Sequence, residues 1–109
     1  MNRKEKGYLA EQFCQDFLFS LGYQPWKSNY RVGNKEADLI FTFKHEWVLV
    51  EVKAMQALDY IPLQEAQKEN YYFIGQHLQE IHPYPLRFDL FLFQLNSSFS
   101  IYEHIIDAF

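Results

Sequence analysis

Cysteine is almost absent from this sequence: among 109 residues there is one, Cys14. A lone thiol closes no internal disulfide, which excludes a disulfide-framed fold and fits a reducing compartment. No stretch approaches the ~20 apolar residues of a membrane span. The basic N-terminus is interrupted by Glu5 and Glu11, which breaks any signal-peptide core. A cytoplasmic protein is therefore expected. There is no glycine-rich phosphate loop or nucleotide fingerprint, no internal repeat and no low-complexity tract. His77 and His82 are five apart rather than the four that would put two ligands on one helical face, so no zinc pair is evident. Cys14 has no histidine near it in sequence, which argues against a thiol nucleophile.

What is present is a core. Hydrophobic residues make up 49% of the chain and aromatics 19%, which is enough to fold one domain of this length without metals or disulfides. The net charge of −4 argues against a nucleic-acid partner, but the charge is unevenly spread. Residues 1–35 hold Arg3, Lys4, Lys6, Lys27, Arg31 and Lys35 against only Glu5, Glu11 and Asp16. A local basic face on an acidic protein is compatible with that pattern, as is an ordinary mixed surface.

The periodicity predicts a helix over 4–21, with Leu9, Phe13, Phe17 and Leu21 recurring every four residues, Cys14 and Leu18 beside them, and Gly22 at its end. Trp26 to Arg31 reads as a short strand, and Gly33-Asn34 as a turn. Ala37 to Phe43 and Trp47 to Lys53 read as two strands of a hairpin, whose connection lacks the Gly or Asn that favours a tight primed turn. Pro62 suits the first turn of a second helix, with Leu63, Ala66, Asn70, Ile74, Leu78 and Ile81 on its inner face. Pro83 and Pro85 stop that helix. Leu86 to Leu95 is an apolar strand, Asn96-Ser97-Ser98 a turn, and Phe99 to Ile105 a last strand. The order α-β-β-β-α-β-β predicts an α/β fold, a mixed sheet with helices packed on it.

Within the apolar WVLVEVK, Glu51 and Lys53 are two apart and share one face of the strand. Asp38 opens the neighbouring apolar run. A connecting loop of even length puts Asp38 on the face of Glu51 and Lys53: a loop at Lys44-His45 pairs it with Glu51, and one at His45-Glu46 pairs it with Lys53. An odd loop without a bulge sends it to the opposite face. Two carboxylates and one ammonium in an apolar setting are costly unless they pair or bind metal. A hard divalent cation satisfies both carboxylates, with the carbonyl of Val52 as a third protein ligand. Lys53 can then orient a water for attack on a phosphodiester. The plainer reading is a surface ion pair between Glu51 and Lys53. Glu11 falls at the edge of the first helix's apolar stripe near Gly7, where it can join the site or merely solvate the helix. Gln67 and Tyr71, four apart, are neighbours on the second helix and can contact substrate or simply pack. Arg87 and Asp89 bracket Phe88 as a structural ion pair or surface charges. Tyr8, Tyr30, Tyr71 and Tyr72 include candidates for base stacking.

With those residues in view, the chain resembles the YraN family, small bacterial proteins regarded as endonucleases. The likeness runs nearly end to end. It is carried by Gly7 and Glu11, Gly22-Tyr23, Asn29-Tyr30-Arg31, Glu36-Ala37-Asp38-Leu39-Ile40, Val50-Glu51-Val52-Lys53, Arg87-Phe88-Asp89 and Ala108-Phe109. The resemblance implies a PD-(D/E)xK, restriction-endonuclease-like fold near the archaeal Holliday-junction resolvases. It implies that Asp38, Glu51 and Lys53 are catalytic with Glu11 beside them, and that Gln67 and Tyr71 match the Q-x-x-x-Y element of related nucleases. The expected function is a magnesium- or manganese-dependent endonuclease that cuts DNA, with branched or junction DNA as substrate by analogy. Asp38, Glu51 and the Val52 carbonyl would hold the metal, and Lys27, Arg31, Arg3 and Lys4 would track phosphates. A two-fold symmetric junction would suit a homodimer. The alternative is a nuclease-fold module that binds DNA or a protein without cutting.

Overall fold

The first helix starts where a short polar side chain can satisfy its free amides: the Asn2 carboxamide oxygen accepts the Glu5 N–H at 2.8 Å. In the computed structural model, which describes residues 2–55, 63–95 and 100–109, that helix is α1, Arg3–Ser20. It ends as Gly22 N–H donates to the Phe19 carbonyl and Tyr23 N–H to the Leu18 carbonyl, with Gly22 at φ 97°. The strands β1 (Gln24–Val32), β2 (Lys35–Phe43) and β3 (Glu46–Met55) follow, then helix α2 (Glu65–Ile81), then β4 (Leu86–Leu95) and β5 (Ser100–Ile105). The order matches the expected α-β-β-β-α-β-β. The expected helix start at Pro62, the turn Asn96-Ser97-Ser98 and the first residue of the last strand, Phe99, lie outside the described residues.

The five strands form one mixed sheet in the order β1-β2-β3-β4-β5. Only the β3–β4 pair is parallel, and α2 is the crossover that a parallel pair needs. Each helix covers one face. Ala10, Cys14 and Leu18 of α1 pack with Leu39, Phe41, Val48, Val50, Phe91 and Phe93. Tyr71, Ile74 and Leu78 of α2 pack with Ile40, Trp47 and Leu49. The alternation of Val48 and Val50 with Trp47 and Leu49 is the period of two made visible, a strand buried on both faces. No helix among the described residues is long and apolar enough to cross a membrane.

Both helices bury only part of the expected faces: Ile74 and Leu78 of α2 are in the core as expected. In α1 the fully buried residues are Ala10, Cys14 and Leu18; Phe13 and Phe17 pack at the side, and Leu9 and Leu21 are exposed. In α2 the buried set is Tyr71, Ile74, Gly75 and Leu78, while Ala66 and Ile81 are exposed. At 3.6 residues per turn, a row of every fourth residue winds by about 40° per step. Three such steps, from Leu9 to Leu21, turn the row by about 120°, so a strict row cannot stay buried from end to end.

The two interior helix glycines stand in opposite surroundings. A Cβ on Gly75 would meet Leu86 Cδ1 at 2.9 Å and Phe88 Cζ at 3.1 Å, so glycine there lets α2 lie close on β4. Around a Cβ on Gly7, nothing among the described residues lies within 4 Å. Glycine inside a helix costs about 1 kcal/mol relative to alanine, and packing gives no reason for it at Gly7.

Candidate active site

The turn between β2 and β3 sets the register of the site. Phe43 pairs with Glu46, leaving Lys44-His45 as a two-residue loop. Both residues lie at positive φ, 50° and 60°. This is the geometry of a primed turn, adopted without the Gly or Asn it favours. The pairs run Phe41↔Val48, Ile40↔Leu49 and Leu39↔Val50. One further step sets Asp38 opposite Glu51, the outcome expected of a loop at Lys44-His45.

The ladder stops there because Asp38 leaves it. Its backbone N–H donates to the Tyr71 hydroxyl at 3.0 Å, and its Oδ2 accepts the Val52 N–H at 2.8 Å. A carboxylate therefore stands where the next carbonyl of β2 would have been. On the other side of β2, the β1 register is the same at Ser28↔Leu39 and Tyr30↔Ala37, with Asn29 between them facing Asp38; the register shift lies earlier, between Pro25 and Lys27. Asn29 lies at φ 48°, a left-handed conformation that Asn tolerates better than most residues. This kink beside Asp38 went unread in the sequence, where Asn29-Tyr30-Arg31 registered only as part of a likeness. An Asn inside a strand pattern was the available signal.

Glu51 is buried, 8% exposed. Its Oε2 accepts the Tyr71 hydroxyl at 2.5 Å, and its Oε1 lies 3.3 Å from the Lys53 ammonium. The pair is not the surface ion pair of the plainer reading, since Glu51 is shielded and fully partnered. Asp38 is pushed from the ordinary 3.8 to about 8, first by burial and then by the charge of Glu51 beside it. At neutral pH Asp38 in the free protein thus keeps its proton. Glu11 is also raised, by burial first and then by Glu36 and Glu51.

A cavity of about 360 Å³ opens over this cluster. Lys4, Gly7, Tyr8 and Glu11 of α1 line one side, and Asp38, Glu51 and Val52 form the other. Glu11 thus shares the cavity with the hairpin carboxylates. The donor set fits one divalent cation: two carboxylates that repel each other when both are ionised, with the Val52 carbonyl directed to the same side as its N–H, toward β2. Among the described residues no group of three or more His, Cys, Asp or Glu side chains is placed to hold a metal. A cation here would complete its shell with water.

The remaining expected residues fall elsewhere. Tyr71 was expected at the substrate. It is 2% exposed, and its hydroxyl is turned to Glu51, the Val50 carbonyl and the Asp38 N–H. It holds the site from beneath and offers nothing outward. Burial, followed by the charges of Asp38 and Glu51, raises its pKa, so the hydroxyl stays a donor. Gln67 sits in the first turn of α2, its Oε1 accepting the Gln64 N–H at 3.4 Å, so that oxygen serves the helix end. Arg31 is exposed on β1 and paired with Glu36 at 2.8 Å. Lys27 lies on the same strand, its ammonium 5.8 Å from the Trp26 ring centroid. Cys14 is buried, and burial followed by Asp89, Asp38 and Glu11 raises its thiol pKa, which keeps it unreactive.

Comparison with known proteins bears on the family alone. The model of the uncharacterised protein family UPF0102 matches residues 10–92. A UPF0102 protein of Natranaerobius thermophilus is 34% identical over the full length of both chains. Others from Clostridioides difficile and Dictyoglomus thermophilum are 29% and 31% identical, again over the full length of both. The matched segment contains Glu11, Asp38, Glu51 and Lys53.

Proposed function

The chain belongs to the uncharacterised protein family UPF0102, and from that premise we propose that it is a divalent-metal-dependent nuclease that hydrolyses phosphodiester bonds in DNA. The observation that carries this reading is the meeting of Asp38 and Glu51 at the open end of the hairpin. They lie so close that burial and mutual charge lift Asp38 to about 8, with Lys53 3.3 Å from Glu51. A fold gains nothing in stability from two crowded carboxylates, whereas a cation site needs them.

Asp38, Glu51 and the Val52 carbonyl would hold magnesium or manganese, which when bound neutralises phosphate charge and acidifies water. Holding a cation would require Asp38 in its ionised form. Tyr71 keeps Glu51 in one orientation through its 2.5 Å hydrogen bond. The Lys53 ammonium is fixed by Glu51 and supplies a positive charge for the phosphate as negative charge develops in the transition state. Glu11, across the cavity, is positioned to accept a proton from an attacking water. Lys4 at the cavity wall, with Lys27 and Arg31 on β1, would track the flanking phosphates, so binding should weaken as salt rises. A junction substrate would engage two copies of the chain.

The test is incubation of plasmid and four-way junction DNA with the protein, with and without manganese, beside Lys53→Ala and Asp38→Asn. Metal-dependent cutting by the unaltered chain alone supports the nuclease. Metal-independent binding with no cutting would instead support a nuclease-fold module that only binds, a reading favoured by the lack, among the described residues, of three His, Cys, Asp or Glu side chains placed to hold one metal ion.

A further inference from the structure

Building on the nuclease reading, we propose that the substrate strand crosses α1 at Gly7, with a phosphate at Lys4 and an unpaired base on the ring of Tyr8, so that the site grips a single-stranded arm of a branched DNA rather than continuous duplex.

Gly7 is the first ground. It lies inside α1, where glycine weakens a helix, and nothing among the described residues stands within 4 Å of where a Cβ would be. The space it leaves belongs to the cavity that holds Asp38 and Glu51. A glycine that no neighbour requires, facing a cavity, is what close approach of another backbone needs. Gly75, pressed against Leu86 and Phe88, shows the contrasting case of a glycine explained by internal packing.

Tyr8 is the second. It is 62% exposed, the highest among the exposed large hydrophobics, and makes no ring contact among the described residues. It lines the same cavity beside Gly7. An open aromatic face is useful to a base only when that base has left its own stack. In continuous duplex the bases are turned inward and Tyr8 would meet only sugar and phosphate.

Charge is the third. Three carboxylates line this cavity, those of Glu11, Asp38 and Glu51, and Lys4 is the cation among its lining residues. Lys4, Tyr8 and Glu11 recur at helical spacing and lie along one face. A phosphate flanking the cut therefore has its place at the Lys4 end, with the neighbouring base over Tyr8.

The experiment measures binding by fluorescence anisotropy, with calcium present, to labelled single-stranded, blunt duplex and forked oligonucleotides, and cutting of the same DNAs with manganese. The unaltered protein should prefer forked and single-stranded DNA to blunt duplex. Gly7→Ala should melt a few degrees higher yet bind the fork about tenfold more weakly, because the added methyl occupies the track. Tyr8→Ala should also lose about tenfold and with it the preference for the fork, while Tyr8→Phe keeps both. A Gly7→Ala protein that is stabilised and binds as before, a Tyr8→Ala protein that retains the preference, or an unaltered protein that leaves forked DNA unbound overturns the inference. If the expected binding pattern appears without manganese-dependent cutting, the nuclease reading falls and the arm-gripping face stands. If cutting occurs and the α1 variants match the unaltered protein, the reverse holds.

Discussion

At the scale of single residues the site is a contest between two carboxyl groups and what surrounds them. Asp38 titrates near 8 because burial and Glu51 both resist its ionisation. A folded-state pKa above the unfolded one favours folding fully below about pH 4, and this contribution is lost as pH rises through 8, since the unfolded chain has already released the proton. Asp38→Asn cannot lose that proton. Its stability relative to the unaltered chain should climb between about pH 4 and pH 8, by several kcal/mol, as read from paired thermal melts across that range. Manganese should act in the opposite sense, raising the melting temperature of the unaltered chain more at about pH 8 than at about pH 6, and leaving Asp38→Asn unmoved. Tyr71→Phe removes the hydroxyl that Glu51 and the Asp38 N–H share. We expect a loss of about 1–3 kcal/mol in urea melts, because buried polar groups are left without partners, together with weaker manganese binding by calorimetry. A Tyr71→Phe protein with both properties unchanged would show that Glu51 needs no such support.

At the scale of elements, the hairpin turn decides whether the site exists. Its two-residue loop keeps Asp38 opposite Glu51, yet Lys44 and His45 both hold positive φ. Left-handed backbone costs an ordinary residue roughly 1–2 kcal/mol, and Asn-Gly is the pair best suited to it. Lys44→Asn with His45→Gly should therefore stabilise the protein by about 1–2 kcal/mol while leaving manganese affinity unchanged, since the register is kept. The strands were legible in the sequence because β-branched and aromatic runs with turn signals between them admit few other readings; Leu86–Leu95 falls where its apolar run placed it. The pairing of Asp38 with Glu51 was legible only as one of several outcomes, because a turn without Gly or Asn does not announce its length. The buried face of α1 was misjudged by a step and that of α2 was right at Ile74 and Leu78 but wrong toward its ends, as every-fourth rows drift around the axis. The role of Tyr71 was not legible at all, since an aromatic near a helix stripe looks the same whether it faces substrate or a buried carboxylate.

At the scale of the whole molecule, α1 spans two polar clusters of opposite character. Its N-terminal half covers the cavity with its protonated Asp38. On β4 lies Asp89, fully buried, whose carboxylate takes hydrogen bonds from Arg87 at 2.8 and 3.0 Å and from the Asp107 N–H at 3.0 Å, and lies 2.7 Å from His104 Nε2. Arg87 in turn reaches Tyr23 at 2.7 Å and Glu46 at 3.4 Å. This network fastens the exit of α1, the start of β3, β4 and the chain beyond β5. Burial alone would raise Asp89, but the hydrogen bonds from His104, Arg87 and the Asp107 amide outweigh it and hold the group below its ordinary value. One buried carboxylate is thus held ionised by its partners and the other is pushed toward its neutral form, which separates the structural cluster from the proposed site. Asp89→Asn would leave Arg87, a largely buried cation, with only the longer pair to Glu46 as counter-charge, and we expect it to cost about 3–5 kcal/mol by urea denaturation near neutral pH. Because the folded pKa is depressed, this contribution is present above the ordinary value and fades as pH falls through the lowered one, so the two proteins should converge in strong acid. Replacing Arg87 with Met in the Asp89→Asn background should restore part of the loss, since removing both charges removes the uncompensated one. At temperatures where Asp89→Asn stays folded, its manganese affinity should equal that of the unaltered chain. A parallel fall in affinity would mean that the two clusters are linked through the β3–β4 pair, and that the separation drawn between them is too sharp.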